Sequence, residues 1–491
     1  MAFINSLSRK LCVFFIFFLV AFLPAGSFAM MSIEKEKELG RRLLEEIRTQ
    51  VEFVDDQEVV QYVQSAGEKI LKLIPDPLYQ YRFFVIKDEG VNAFAIPGGF
   101  VFVHSGLLEV VDSDDEFICV LAHEIGHVEG RHIARRIERL KRLNIASVAA
   151  ILAGVFLGKG KAGSAILATT SALNASIGLK YSREDEEEAD RRAFQWLCKA
   201  GYNPMGLVTV LQKMQRMRWL GTDAIPSYLS THPGTAERIT YLEDLIKTSN
   251  CHVKFHRASR ELRRVQVRIS VFTKDPYLLI GRYKTALKDS PGDEYLQYGL
   301  CLAYLEAREF NNAINELNAL IKGHPKRLEY KKDLGVAYYL KGDYGQAIDV
   351  LNNYLKSNSK DLTARLYLGK SLLAVSRPKE ALKSIKDVYY ALDEDPRIAF
   401  DLGRSLAALH QEGEAHYYFY QFYRWKGQLD AASYHKRMAI RLLPKDSQLL
   451  RKIGESRDES DENNNQDPIS PGGSRGSGLG SSYEVVHSKK F

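Results

Sequence analysis

The chain has 491 residues, 45% hydrophobic and 26% charged, with a formal net charge of +7. That is ordinary globular composition at a length suited to two or three domains. The charge is modest, and the densest basic stretch, Lys254 to Arg268, lacks the interleaved aromatics of a nucleic-acid platform; it reads as a solvated linker first and a partner-binding patch second.

At the N-terminus, Arg9 and Lys10 precede an apolar run from Leu11 to Leu23, and small residues follow at Ser27 and Ala29. This pattern predicts a secretory signal over 1–29, cleaved after Ala29, because the run is too short to span a hydrocarbon core of ~30 Å. An uncleaved anchor is the alternative; no cysteine is placed for lipidation. Export implies an oxidising compartment. The remaining cysteines, Cys119, Cys198, Cys251 and Cys301, are widely spaced and form no CxxC, so one structural bridge is the most they offer and spacing does not pair it.

Residues 30–250 mix two periods. "IEKEKELGRRLLEEI" and "VVQYVQSAGEKILKLI" space apolar residues as surface helices do, and "YRFFVIKD" with "NAFAIPGGFVFVHSG" predicts a short antiparallel sheet. The strand in "GGFVFVHSG" reads as an edge on which an extended peptide could pair. A second helical series follows, giving an α+β domain. Within it, Asn144 to Gly158 is the most apolar stretch after the signal; being shorter than a membrane span, it reads as a buried helical hairpin or a flap, with membrane contact the alternative.

"VLAHEIGHVEG" carries two histidines four residues apart. Ser113 and Glu116 form a capping-box pattern that starts a helix, on which His123 and His127 share a face, the spacing two imidazoles need to grip one ion. Glu124 falls about 100° round from His123, suited to a general base. Zinc needs a third protein ligand. "YSREDEEEADRRAFQWL" offers Glu186, with Asp190 one turn later as an acceptor for a ligand's ring N–H. Alone, that cluster would read as a solvated acidic helix start. Cys119 reads as a buried small residue, His132 as packing behind the site, and His104 as structural. His324, His410, His416 and His435 read as surface or packing residues.

A linker is expected over 251–274. From about Asp275 to Pro444 the chain repeats: Ala313, Ala347, Ala381 and Ala415 recur every 34 residues, as do Gly335, Gly369 and Gly403. This resembles the tetratricopeptide repeat, stacked pairs of antiparallel helices, here assigned to 275–453. The polar residues 454–491 cannot bury a core and read as a disordered tail.

The motifs "NAFAIPGG", "GLLEVV", "HEIGHVEGRH", "YSREDEEEAD" and "STHPGTAER" occur in the order and approximate spacing of the M48 metallopeptidases. The resemblance implies an α+β zincin-like metallopeptidase domain, followed by an all-α tetratricopeptide-repeat solenoid. It implies one Zn2+ held by His123, His127 and Glu186, with Glu124 as general base and Asp190 at the family's acidic position. His232 matches a histidine that can approach the metal or stabilise the oxyanion, and Arg238 falls on the arginine six residues later, which would help hold that loop or the transition-state charge. The implied function is a periplasmic zinc metalloendopeptidase hydrolysing misfolded or stalled outer-membrane proteins, its repeats binding clients or assembly machinery. Peripheral membrane contact and no nucleic acid are expected. A chaperone-like scaffold with a latent protease domain is the alternative.

Overall fold

The computed structural model describes residues 31–139, 148, 180–219, 227–251, 253–392 and 394–455. The signal-like segment, nearly all of the apolar run from Asn144 to Gly158, and the tail beyond 455 lie outside them. Helix α1 (Ile33–Gln50) starts at Ser32, whose side chain accepts from the Lys35 N–H; α2 (Gln57–Leu71) starts at Asp56, which accepts from the Val59 N–H. Val59, Val63, Ala66 and Ile70 of α2 are buried at helical spacing.

Strands β1 (Arg82–Ile86), β2 (Ala93–Ile96) and β3 (Phe100–His104) form one sheet in the order β1-β3-β2. The sheet is mixed, correcting the antiparallel expectation: β2 and β3 are antiparallel, but β1 runs parallel to β3. Gly98 and Gly99, both with φ near +90°, close the β2–β3 turn so tightly that those strands must be antiparallel. The segment from Lys87 to Asn92 carries the chain from β1 past β3, so β1 takes the far side. Hence "FVFVH" is the central strand and β2 the one beside the motif helix. The two faces alternate as strands require. Val85, Val101 and Val103 join the core under α2, whereas Phe94, Ile96 and Phe102 pack against Leu43, Leu44 and Ile47 of α1.

Helices α3 (Ser105–Val110), α4 (Asp114–Glu129), α5 (His132–Arg139), α6 (Arg183–Ala200), α7 (Met205–Trp219), α8 (Ser227–Thr231) and α9 (Thr235–Thr248) follow. A disulfide joins Cys198, in the last turn of α6, to Cys251 beyond α9. Cys119 and Cys301 are free and buried.

The segment expected to be a solvated linker holds helix α10 (Arg260–Thr273). Leu262, Val265 and Ile269 enter the core of the peptide's first half, and the arginines are neutralised rather than solvated. Arg264 bonds Glu58 at 2.6 Å and Asp333 at 2.8 Å, and Arg268 bonds Asp56 at 2.6 Å. Charge in the local sequence suggested exposure; counter-charges more than two hundred residues upstream reverse it.

The repeats are α11 (Pro276–Asp289), α12 (Glu294–Glu306), α13 (Phe310–Gly323), α14 (Glu329–Lys341), α15 (Tyr344–Ser357), α16 (Leu362–Ala374), α17 (Pro378–Ala391), α18 (Pro396–Ala407), α19 (Glu412–Trp425), α20 (Leu429–Leu442) and α21 (Gln448–Glu455). A Cβ at Gly335 would lie 2.6 Å from Leu351, and one at Gly369 2.5 Å from Ile385. The repeated glycines therefore mark where paired helices touch. Ala313, Ala347 and Ala381 are fully buried at the same position of successive second helices. Among the described residues, no helix is long and apolar enough to cross a membrane.

Candidate metal centre

Ser113 starts α4 by accepting from the Glu116 N–H at 3.1 Å. Glu116 turns its carboxylate to the Asp112 N–H and to Lys213, each at 2.7 Å, so it does not close the capping box with Ser113 as the pattern suggested. The complete capping box is instead at α6, between Ser182 and Asp185. Helix α4 is buried from Asp115 to Val128, which places both motif histidines in the interior. Gly126 brings the two helices together: a Cβ there would lie 2.8 Å from Ala189 O and 3.0 Å from Ala189 Cα. That contact sets Glu186 opposite His123 and His127.

His232 arrives from the end of α8. One ligand atom from each of His123, His127, Glu186 and His232 lies within 4.8 Å of the other three, and all four residues are fully buried. His123 Nε2 is 2.9 Å from His127 Nε2, and His232 Nδ1 is 3.0 Å from Glu186 Oε1. Three imidazoles and a carboxylate converging on one point are donors suited to a divalent transition-metal ion. Glu124 stands beside them, Oε1 3.6 Å from His232 Nε2, with no hydrogen-bond partner on either oxygen.

The surroundings orient these groups. Asp190 Oδ1 is 2.7 Å from His123 Nδ1, and Arg238 grips both Asp190 oxygens at 2.7 and 2.8 Å. Arg238 also places Nη1 2.6 Å from Glu186 Oε2. His132 Nδ1 is 2.8 Å from His127 Nδ1, with Glu188 3.2 Å from its other nitrogen. His104 lies elsewhere, 3.2 Å from Asp88, and Cys119 points to Asn203 O.

Burial pushes the Glu124 carboxyl up to about 8. Burial also opposes charge on His123, but Asp190 overcomes it and raises the imidazole to about 9 in the protein alone. Glu186 is held well below the carboxylate range, because His232 and Arg238 outweigh its burial. A cation on His123 Nε2 competes with that ring's proton, whereas Glu186 is already charged for it.

Three residues of the site escaped the sequence reading. Tyr181 stacks on His127 at 3.7 Å between ring centroids, Tyr228 stacks on His232 at 4.1 Å, and the Tyr241 hydroxyl donates to Asp190. Tyr228 precedes His232 by four residues, a one-turn signal that was legible; Tyr181 carries no such mark.

The model of peptidase family M48 matches residues 58–246, and the tetratricopeptide-repeat model matches 298–362 and 342–396. The chain carries an M48 peptidase domain followed by tetratricopeptide repeats. It is 29% identical over 309 residues to a putative beta-barrel assembly-enhancing protease of Vibrio cholerae, covering 61% of this chain and 62% of that one. It is 28% identical to the beta-barrel assembly-enhancing protease of Escherichia coli K12, over 62% of this chain and 63% of that one. The chain is also 36% identical over 158 residues to mitochondrial metalloendopeptidase OMA1 of Arabidopsis thaliana, 32% of this chain and 30% of that one. The chain thus spans somewhat under two thirds of the length of these bacterial relatives.

Proposed function

We propose that this protein is an exported, zinc-dependent endopeptidase that cleaves misfolded or stalled outer-membrane proteins, with the repeats holding clients or assembly partners. The observation that carries this reading is the unpartnered, buried Glu124 carboxylate beside four converging donor atoms. His123, His127 and Glu186 would hold the ion, which when bound supplies Lewis acidity and lowers the pKa of water. Glu124 takes the proton of the attacking water on Oε1 or Oε2, both free of other bonds, and delivers it to the leaving amine. Asp190 accepts from His123 Nδ1 and so keeps Nε2 turned to the site. Arg238 holds Asp190 and Glu186 in place together. His232 lies within the same cluster as a fourth donor, so productive entry of substrate requires its displacement. An extended substrate would run along β2, the strand beside α4.

Relatives named for beta-barrel assembly support the client class, and the Cys198–Cys251 bridge supports an oxidising compartment. The test uses the whole protein. Glu124→Gln should keep stoichiometric zinc, measured by elemental analysis, and lose cleavage of an unfolded protein substrate. A variant that still cleaves would end the catalytic reading, and one in which every cellular phenotype persists would favour the scaffold.

A further inference from the structure

The two imidazoles of α4 turn their second nitrogens to different kinds of partner. His123 turns Nδ1 to the Asp190 carboxylate at 2.7 Å. His127 turns Nδ1 to a third imidazole, with His132 Nδ1 at 2.8 Å and the two rings at 78°. His132 is fully buried and is not one of the four converging donors.

The protons on this pair have one consistent arrangement. Two ring nitrogens at 2.8 Å need a single proton between them. If Nε2 of His127 is to hold a cation it must be bare, so the proton sits on Nδ1 of His127 and Nδ1 of His132 accepts it. His132 then carries its own proton on Nε2. That nitrogen faces carboxylates, Glu188 Oε2 at 3.2 Å and Asp185 Oδ1 at 4.0 Å. Arg192 holds Glu188 in place by bonding its other oxygen at 2.7 Å. The opposite tautomer of His132 would set two N–H groups against each other and a bare nitrogen against a carboxylate.

The backbone is shaped to deliver this ring. Between α4 and α5 the chain turns through Gly130 and Arg131, and Arg131 takes the left-handed conformation, φ +54°, that a residue with a Cβ seldom adopts. Its guanidinium is tied to the buried Glu36 of α1, Nε to Oε1 at 2.7 Å. The turn folds His132 back over Gly130, where a Cβ would lie 2.3 Å from His132 Nε2. Such a backbone persists where its surroundings over-determine it, and here they fix the place of one ring.

We propose that His132 is the positioning residue of His127: its Nδ1 accepts the His127 Nδ1 proton and so keeps His127 Nε2 bare and aimed at the ion, while Glu188 sets the tautomer of His132. The inference rests on the zinc reading above.

Two measurements on the whole protein test it: zinc affinity by competition with a chromogenic chelator, and histidine nitrogen-15 shifts of the zinc-loaded chain. His132→Leu should weaken zinc binding by about 10- to 100-fold, and Gly130→Ala, which pushes the ring aside and alters no donor, by a similar factor. His132→Asn should recover most of the loss, because its side-chain carbonyl reaches the place of Nδ1 and accepts the same proton. In the unaltered protein His132 should carry its proton on Nε2. Unchanged affinity in His132→Leu overturns the proposal, as does a His132 protonated on Nδ1; neither touches the role of Glu124, which Glu124→Gln tests. An asparagine no better than leucine also overturns it, by reducing His132 to a packing residue. A protein that takes up no zinc ends the zinc reading and this inference together. The shifts are read on the unaltered chain, so they decide the matter even if a variant does not fold.

Discussion

Asp190 Oδ1 lies 2.7 Å from Nδ1 of His123, while Arg238 bonds both oxygens of the same carboxylate. The pair fixes which nitrogen of His123 faces the donor cluster, and Arg238 keeps Asp190 charged although it is fully buried.

Asp190→Asn should therefore weaken metal binding without unfolding the domain. The expected loss is about 10- to 100-fold in zinc affinity, measured by competition with a chromogenic chelator. Affinity equal to that of the unaltered protein would remove Asp190 from the site's orientation.

Gly126→Ala should separate α4 from α6, because the added methyl meets main-chain atoms that cannot rotate aside. A stability loss of about 1–3 kcal/mol is expected from overpacking, together with weaker metal retention on dialysis. Thermal unfolding with and without chelator separates the two effects. An unshifted midpoint in both would mean the helices are not held at that glycine.

At the seam between the domains, Glu58 is half-buried, and Lys332, Arg264 and Arg268 outweigh its desolvation and hold it well below its ordinary range. The folded state thus keeps Glu58 charged where the unfolded chain protonates it. Its contribution is complete above the ordinary value of 4.5 and is lost as pH falls toward the folded value. Glu58→Gln should cost about 3–5 kcal/mol at neutral pH, by leaving buried cations unpaired. The gap to the unaltered protein should narrow in denaturant melts below that pH. A gap independent of pH would refute this account of the seam.

In the last repeats, His435 Nδ1 lies 2.7 Å from His416 Nδ1, and burial, then His416, bring His435 down to about 4. Here the unfolded chain takes up a proton that the folded one refuses, so stability falls as pH drops from 6.5 toward 4. His435→Phe keeps the stacking partner for Tyr423 and should flatten that slope. The comparison is the difference in melting midpoint between variant and unaltered protein across that window; parallel curves would count against it.

The sequence placed His123, Glu124 and His127 on one helix and read the 34-residue step as paired helices, because the relevant neighbours lie within a helical turn or recur at a fixed step. It went astray at Arg264 and Arg268, whose neighbours in the chain suggested a solvated linker, because their partners Glu58 and Asp56 lie more than two hundred residues away. It went astray again at "FVFVH", since hydrophobic alternation marks a strand without saying which strands flank it.

The sequence by itself determined the helix faces, the repeat register and the paired imidazoles, because a helix ties each residue to those three and four positions along. Only the tertiary structure decided the strand order, the pairing of Cys198 with Cys251, and the arrival of His232 beside Glu186. Those distances close through packing across the whole domain, such as the contact of Gly126 with Ala189, and no local rule of the backbone contains them.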